Sequence, residues 1–293
     1  MKKQSIGEKI FTLFNVIGLL LLSAVFLLPV WHVLMGSISD PFKLSAFSGL
    51  LFKPLGMPTL GGYKLVMNNS TILRSYINTI IIVTAATSFG TLMTILAAYV
   101  LSLKNLLFKA PIVLMVTFTM IFSGGLIPTY MVVRNLGLLD SIISLIIPGA
   151  VSVYNIIIMR TAFSSIPDAL SEAAIIDGAG HIRILTQVVL PVSTATVAVI
   201  VLFYAIHHWN AWFNASLYLR DRSLFPLQLT LREIVILSSE QSIQAAQEAT
   251  DMEIYRPLIK YSTIMVATLP MLVIYPFVQK YFVTGVMIGS VKG

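Results

Sequence analysis

Asp168, Glu172, Asp177 and Arg183 fall within sixteen residues of one another, in and beside the stretch SEAAIIDGAGHIRILTQVVLPVS at Ser171–Ser193. A charge at the centre of a bilayer costs roughly 2.5–3.5 kcal/mol, so four cost on the order of 10. This segment therefore leaves lipid. Other chemistries are missing from the chain. There is no GxxxxGK[ST] phosphate loop, and no HExxH, GxSxG or GxGxxG. His207 and His208 are adjacent, which predicts diverging side chains on a helix, and no further metal ligand sits at a useful spacing. Asp and Glu fall in loops or termini rather than deep in apolar runs, which argues against a proton relay.

The elements that position the loop are membrane spans. Of 293 residues, 57% are hydrophobic and only 11% charged, and the mean hydropathy is +0.90. A soluble domain averages about 25% charged residues, so the chain is a membrane protein. Its net charge of +7 comes from scattered residues that flank apolar runs, not from a basic face for nucleic acid. Cysteine is absent, which excludes disulfide and thiolate chemistry.

Apolar runs of span length predict an all-α, polytopic protein with six transmembrane helices, near 11–35, 76–101, 111–133, 142–163, 192–212 and 262–282. The run from Ile10 to Met35 is too long for a signal peptide and reads as a retained first span. SGGLIP at Ser123–Pro128 and IIPGAVSVY at Ile146–Tyr154 interrupt the third and fourth spans. Each is either a packing kink or a break whose freed backbone groups find partners in neighbouring helices or a cavity. Nine of the 19 basic residues fall on the N-terminal side of the membrane, among them Lys104, Lys109, Arg160 and Arg183. The longer loops on the far side hold the other ten, so basic density places both termini in the cytoplasm. Loops at 36–75 and 213–261 are sizeable, the second with a short amphipathic helix near 229–238.

Within the charged loop, Ser165 is expected to cap a helix, with Pro167 in its first turn and Asp168 three residues after the cap. Ala169, Ala173 and Ile176 then form a narrow apolar face. Asp177-Gly178-Ala179-Gly180 breaks the helix, and a second one runs to Pro191. So slim a helix suits a partner's groove, and equally suits a connector lying on the lipid surface.

Glu172-Ala173-Ala174, then Gly178, then Val188-Val189-Leu190-Pro191 resemble the EAA loop of ABC importer permeases, E-A-A-x3-G-x9-I-x-L-P, with Val in place of Ile. The stretch YINTIIIVTAATSFGTLMTILAAYVLS resembles the span that opens the permease core. HHWNAWFNASLYL and QKYFVTGVMIGSVKG resemble later elements of carbohydrate-importer permeases. The likeness runs from about Tyr76 onward. It is nearest the second permease of the maltose-transporter G type and the lipoprotein/polysaccharide type, including alginate and pectin-fragment importers.

The resemblance implies a type I ABC importer permease with a cytoplasmic coupling helix. Residues 1–75 would hold the first span and outer loop, 76–282 a five-helix core with its EAA loop at 165–191, and 283–293 a cytoplasmic tail ending in Lys292 and Gly293. It also implies the partners: a second permease, two ABC ATPase subunits that bind ATP and Mg, a solute-binding protein, a saccharide and the bacterial inner membrane. The chain itself has no cofactor, metal or catalytic residue. Glu172, Ala173, Ala174, Asp177 and Gly178 would couple ATPase closure to the pore. Aromatic and amide side chains suit a sugar, which makes Asn78, Thr79, Tyr130, Tyr154, Asn155, Trp209, Asn210 and Trp212 candidates for the translocation pathway. An ion-coupled secondary transporter, or an ABC permease for a non-sugar solute, is the alternative.

Overall fold

The computed structural model describes the backbone of residues 5–244 and 251–290, and the side chains of 5–236, 254–276 and 279. All regular secondary structure among the described residues is helical. In chain order the helices are α1 (Ile6–Ser37), α2 (Pro41–Ser45), α3 (Gly61–Asn68), α4 (Ser70–Ser102), α5 (Lys109–Ile121), α6 (Leu126–Asn135), α7 (Ile143–Ile146) and α8 (Val153–Ser164). Then come α9 (Asp168–Ile176), α10 (His181–Ile184), a π-helical turn (Leu185–Val189), α11 (Leu190–Val192), α12 (Thr194–Trp209), α13 (Phe213–Tyr218), α14 (Leu227–Gln244) and α15 (Asp251–Ser290). The chain divides into two units, residues 1–70 with 231–269, and residues 71–230 with 270–293.

In the first unit, Ser5 and Glu8 cap α1 reciprocally, each side chain bonding the other's backbone N–H. From Ile6 to Leu27 the helix is exposed on every side, and its apolar surface faces lipid or a partner chain. Packing begins at its far end, where Met35, Leu44, Leu51 and Leu258 form a small core. Gly36 and Gly62 allow the close approach. A Cβ would lie 2.7 Å from the Tyr261 ring at the first, and 2.2 Å from Ser262 Oγ at the second. Asp40 accepts hydrogen bonds from the amides of Phe42 and Lys43 and starts α2, with Pro41 at its first position.

In the second unit the core joins α4, α8 and α10 to α12, through Ala98, Tyr99, Met159, Phe163, Ile184, Leu185, Val189, Ile200 and Tyr204. Its breaks have local causes. At the bend between α5 and α6, Gly125 has φ +85° and ψ 179°, a region that glycine alone reaches at low cost, and Pro128 follows in the first turn. The two helices meet at 107°. Pro191 lacks an N–H and crowds the carbonyl four residues back. The wider π turn at Leu185–Val189 lies in front of it, and the chain then turns 87° at Ser193.

Three helices are long and apolar enough to cross a membrane alone: Ile6–Ser37, Ser70–Ser102 and Ile254–Pro276. Counting each bent pair as one span gives up to five. The expected fourth span at 142–163 is not one helix. Pro148-Gly149 splits it into α7 and the twelve-residue α8. The fifth, expected at 192–212, is α12 from Thr194 to Trp209, ending before Asn210 and bent at Ser193 from the helix before it. The helix expected near 229–238 runs from Leu227 to Gln244. Helix α15 continues to Ser290, past the expected start of a tail at 283, while Lys292 and Gly293 lie outside the described residues.

Gly90 is where α4 meets the broken span, since a Cβ there would lie 2.4 Å from the Ala150 carbonyl oxygen. Gly90→Ala is expected to destabilise the protein by about 1–3 kcal/mol, the usual effect of overpacking. Gly18→Ala, on the open surface of α1 with nothing within 4 Å, should be neutral or slightly stabilising. Thermal unfolding of the detergent-solubilised protein checks both.

Candidate functional site

The charged loop folds as a short helix, a tight turn and a second helix. Ser165 does not cap α9. It ends α8, and its hydroxyl donates to the Ala162 carbonyl. Pro167, in an extended conformation, precedes α9 without a side-chain cap, and Asp168 supplies the negative charge that the helix start favours. At the other end the amide of Gly178 bonds the Ile175 carbonyl at 2.9 Å, and that of Ala179 bonds Ala174 at 2.9 Å. With Gly178 at φ +78°, this is the glycine-terminated Schellman stop.

One side of α9 is held and the other is bare. Ala174 and Ala179 pack against the core of the second unit. Glu172, Ala173, Asp177 and Gly178 are exposed, and so are Ile176 at 86% and Ile182 at 80%. Two bare isoleucines beside a glycine turn make an apolar tip that no described residue covers. The expected narrow face of Ala169, Ala173 and Ile176 is therefore a solvent-facing one.

Three groups that sequence reasoning missed hold α9 and the turn. Lys104 forms an ion pair with Asp168. The hydrogen bond first, then the charge of Asp168, hold the Lys104 ammonium above its ordinary pKa. Tyr99 Oη lies 3.2 Å from His181 Nδ1, which fixes the start of α10 against α4. The available signal was charge complementarity, since LKNLLFK directly follows the second span on the same side as Asp168.

The proposed pathway residues separate into groups. Tyr154 and Asn155 share a cavity of about 610 Å³ with Gly149, Ser152, Phe203, Tyr204, Ile206 and His207. That volume lies within the usual range for small-molecule pockets. Asn155 is only 5% exposed, whereas Tyr154 is largely exposed. Asn78 and Thr79 clasp a distant segment, and Thr79 also lines a small cavity with His207 and His208. Asn78 Nδ2 donates to the carbonyls of Ser223 at 2.8 Å and Phe225 at 3.2 Å, and Thr79 Oγ1 accepts from the Leu227 amide at 2.8 Å. Tyr130 stacks on Tyr218, Trp209 meets Tyr76 edge-on, and Trp212 packs on Phe213. Asn210 caps its own helix by donating to Ile206. The rings of His207 and His208 do not diverge, but meet edge-to-face at 5.1 Å. Among the described residues no cluster of three metal-ligating side chains occurs.

No family model matches the chain. The polygalacturonan/rhamnogalacturonan transport system permease protein YtcP of Bacillus subtilis (strain 168) is 37% identical over 278 residues, 94% of this chain and 96% of that protein. Protein LplC of the same organism is 38% identical over 287 residues, 97% and 96% of the two chains. Among solved structures, a chain of a bacterial ABC transporter involved in the import of the acidic polysaccharide alginate superposes with a TM-score of 0.84. It is 28% identical, over 96% of this chain and all of that one.

A Cβ on Gly178 would meet nothing within 4 Å, so only its left-handed backbone resists substitution. Gly178→Ala should weaken the turn by about 1–2 kcal/mol, and Gly178→Asn by less. Hydrogen exchange of the amides at 178 and 179 reads the difference.

Proposed function

Because the chain belongs to the permease family of ABC transporters, we propose that it imports a complex saccharide as one of two permeases in an ATP-driven complex. The single observation that carries the coupling half of this reading is the two-sided α9. Asp168, Ala174 and Ala179 bind the loop to the transmembrane core, while Glu172, Ala173, Ile176 and Gly178 offer a slim, exposed tip. A helix so held transmits displacement at its tip to α4 through Lys104 and to α10 through the turn. On this reading the tip sits in a groove of an ABC ATPase, with Glu172 facing a cation there, and ATP and Mg bind on that ATPase pair. This orientation places α9 and both chain termini in the cytoplasm, and the segments around Asp140 and Asp221 outside.

On this reading the outer loops face a solute-binding protein, and hydrogen bonds tie two of their segments together. Asp140 Oδ1 accepts from the amides of Arg220 and Asp221, each at 2.9 Å. Asp221 accepts from the hydroxyl and the amide of Ser223, which hold its carboxyl below the ordinary pKa. The saccharide would pass by Tyr154 and Asn155, whose ring and amide suit hydroxyl-rich faces. Relatives named for polygalacturonan, rhamnogalacturonan and the acidic polysaccharide alginate support an acidic oligo- or polysaccharide.

Gly178→Trp tests the coupling. A Cβ there meets nothing within 4 Å, so both variants share the strain of the left-handed backbone, and Gly178→Ala serves as the control for stability. In the reconstituted complex, stimulation of ATP hydrolysis by loaded binding protein should collapse in the tryptophan variant and persist in the alanine one. Normal stimulation and uptake with tryptophan in place would sink the proposal.

A further inference from the structure

Beside α9, on its core side, lies a second cavity of about 790 Å³ that the transport reading does not use. Among the described residues three cations line it, Lys104, Lys109 and Arg160, together with His181, and Asp168 is the one carboxylate in its wall, while the charge of Glu172 also acts on Lys104. Lys109 Nζ donates to the Ser102 and Leu103 carbonyls at 3.3 and 2.7 Å, and Arg160 Nε to the Leu101 carbonyl at 3.1 Å. These bonds cap the end of α4 and hold both side chains in place. The Nε bond leaves the two terminal nitrogens of Arg160 for another acceptor. The rest of the wall is mixed: Ser102, Asn105, Ser164 and Ser171 are polar, while Leu106, Leu107 and Ile175 are apolar. Leu107 and the neighbouring Phe108 are both more than three-quarters exposed. The cavity sits where α4 and α8 end and α5 begins.

We propose that this cavity binds a phosphate group, and specifically the headgroup of an anionic phospholipid. A phosphate offers several acceptor oxygens at once, which an anchored guanidinium and two ammonium groups can share. Basic pockets between helices at the membrane surface take anionic headgroups, and the exposed Leu107 and Phe108 provide the apolar side along which acyl chains run. Lys104 is shared with Asp168, so a bound phosphate and the coupling helix compete for one ammonium. The site thereby links the charge of the membrane to the posture of α9. It stands independently of which solute is carried.

The test uses the complete transporter in nanodiscs of phosphatidylglycerol or phosphatidylcholine, with retained lipid counted by native mass spectrometry. The doubly neutralised K109Q/R160Q variant should hold phosphatidylglycerol roughly thirtyfold more weakly than wild type, the effect of two surface cations. K109R/R160K, which keeps both charges but not the anchored guanidinium, should lose less affinity than K109Q/R160Q. A second arm adds excess inorganic phosphate. Lipid that persists assigns the site to the headgroup, and lipid that is displaced assigns it to the free anion. Equal retention of phosphatidylglycerol by wild type and K109Q/R160Q, or no preference over phosphatidylcholine, overturns the proposal.

Discussion

Backbone amides and carbonyls have no water to bond inside a bilayer, and an unpaired one costs several kcal/mol. A chain that breaks its own spans must therefore supply side chains to close each break. The second unit does this repeatedly. Tyr204 reaches from α12 to accept the Ser152 amide at the start of α8, and its hydroxyl also lies 2.7 Å from Thr94 on α4. Asn78 and Thr79 likewise satisfy backbone groups of the loop segment from Ser223 to Leu227, and Ser75 adds a hydroxyl pair with Thr230. Each clasp joins residues far apart in the chain, so the broken helices and the core form together.

The same constraint explains how rigid and bare surfaces can coexist. Where α9 leaves lipid, its backbone is satisfied by its own helix and by the turn at Gly178, and no neighbour is needed on its outer side. That independence leaves Glu172, Ala173 and Ile176 available to another protein. Its inner side cannot be as free, because Ala174 and Ala179 close the core beneath Met159 and Phe163. A coupling element needs both properties, a face that yields to a partner and a face that transmits the movement.

Some of this was legible in the residues. The charges of Asp168, Glu172, Asp177 and Arg183 forced the loop out of lipid, and the single-residue demand for a left-handed turn made Gly178 readable. Pro and Gly in SGGLIP and IIPGAVSVY located both breaks. Other features were hidden. Ser165 looked like an N-cap, but a hydroxyl bonds whichever helix end it reaches, and it reached the end of α8. The bonds of Asn78 and Thr79 to the segment from Ser223 to Leu227 were equally hidden, because an amide or hydroxyl that suits a sugar also suits a backbone group. The bend at Ser193 is a collective result of Pro191 and the π turn, and neither residue type announces it.

The sequence by itself determined what depends on local composition: a membrane chain, a charged loop outside lipid, the glycine turn within it and the positions where helices cannot continue. Only the tertiary structure decided which side of α9 is buried, that Lys104 and Tyr99 hold the loop, and that Tyr154 and Asn155 share one cavity while Asn78 and Thr79 serve as clasps. Those outcomes rest on contacts between residues dozens to more than a hundred positions apart. Hydropathy and spacing report a residue's preference for lipid, water or a turn, but carry no information on which distant group it will meet.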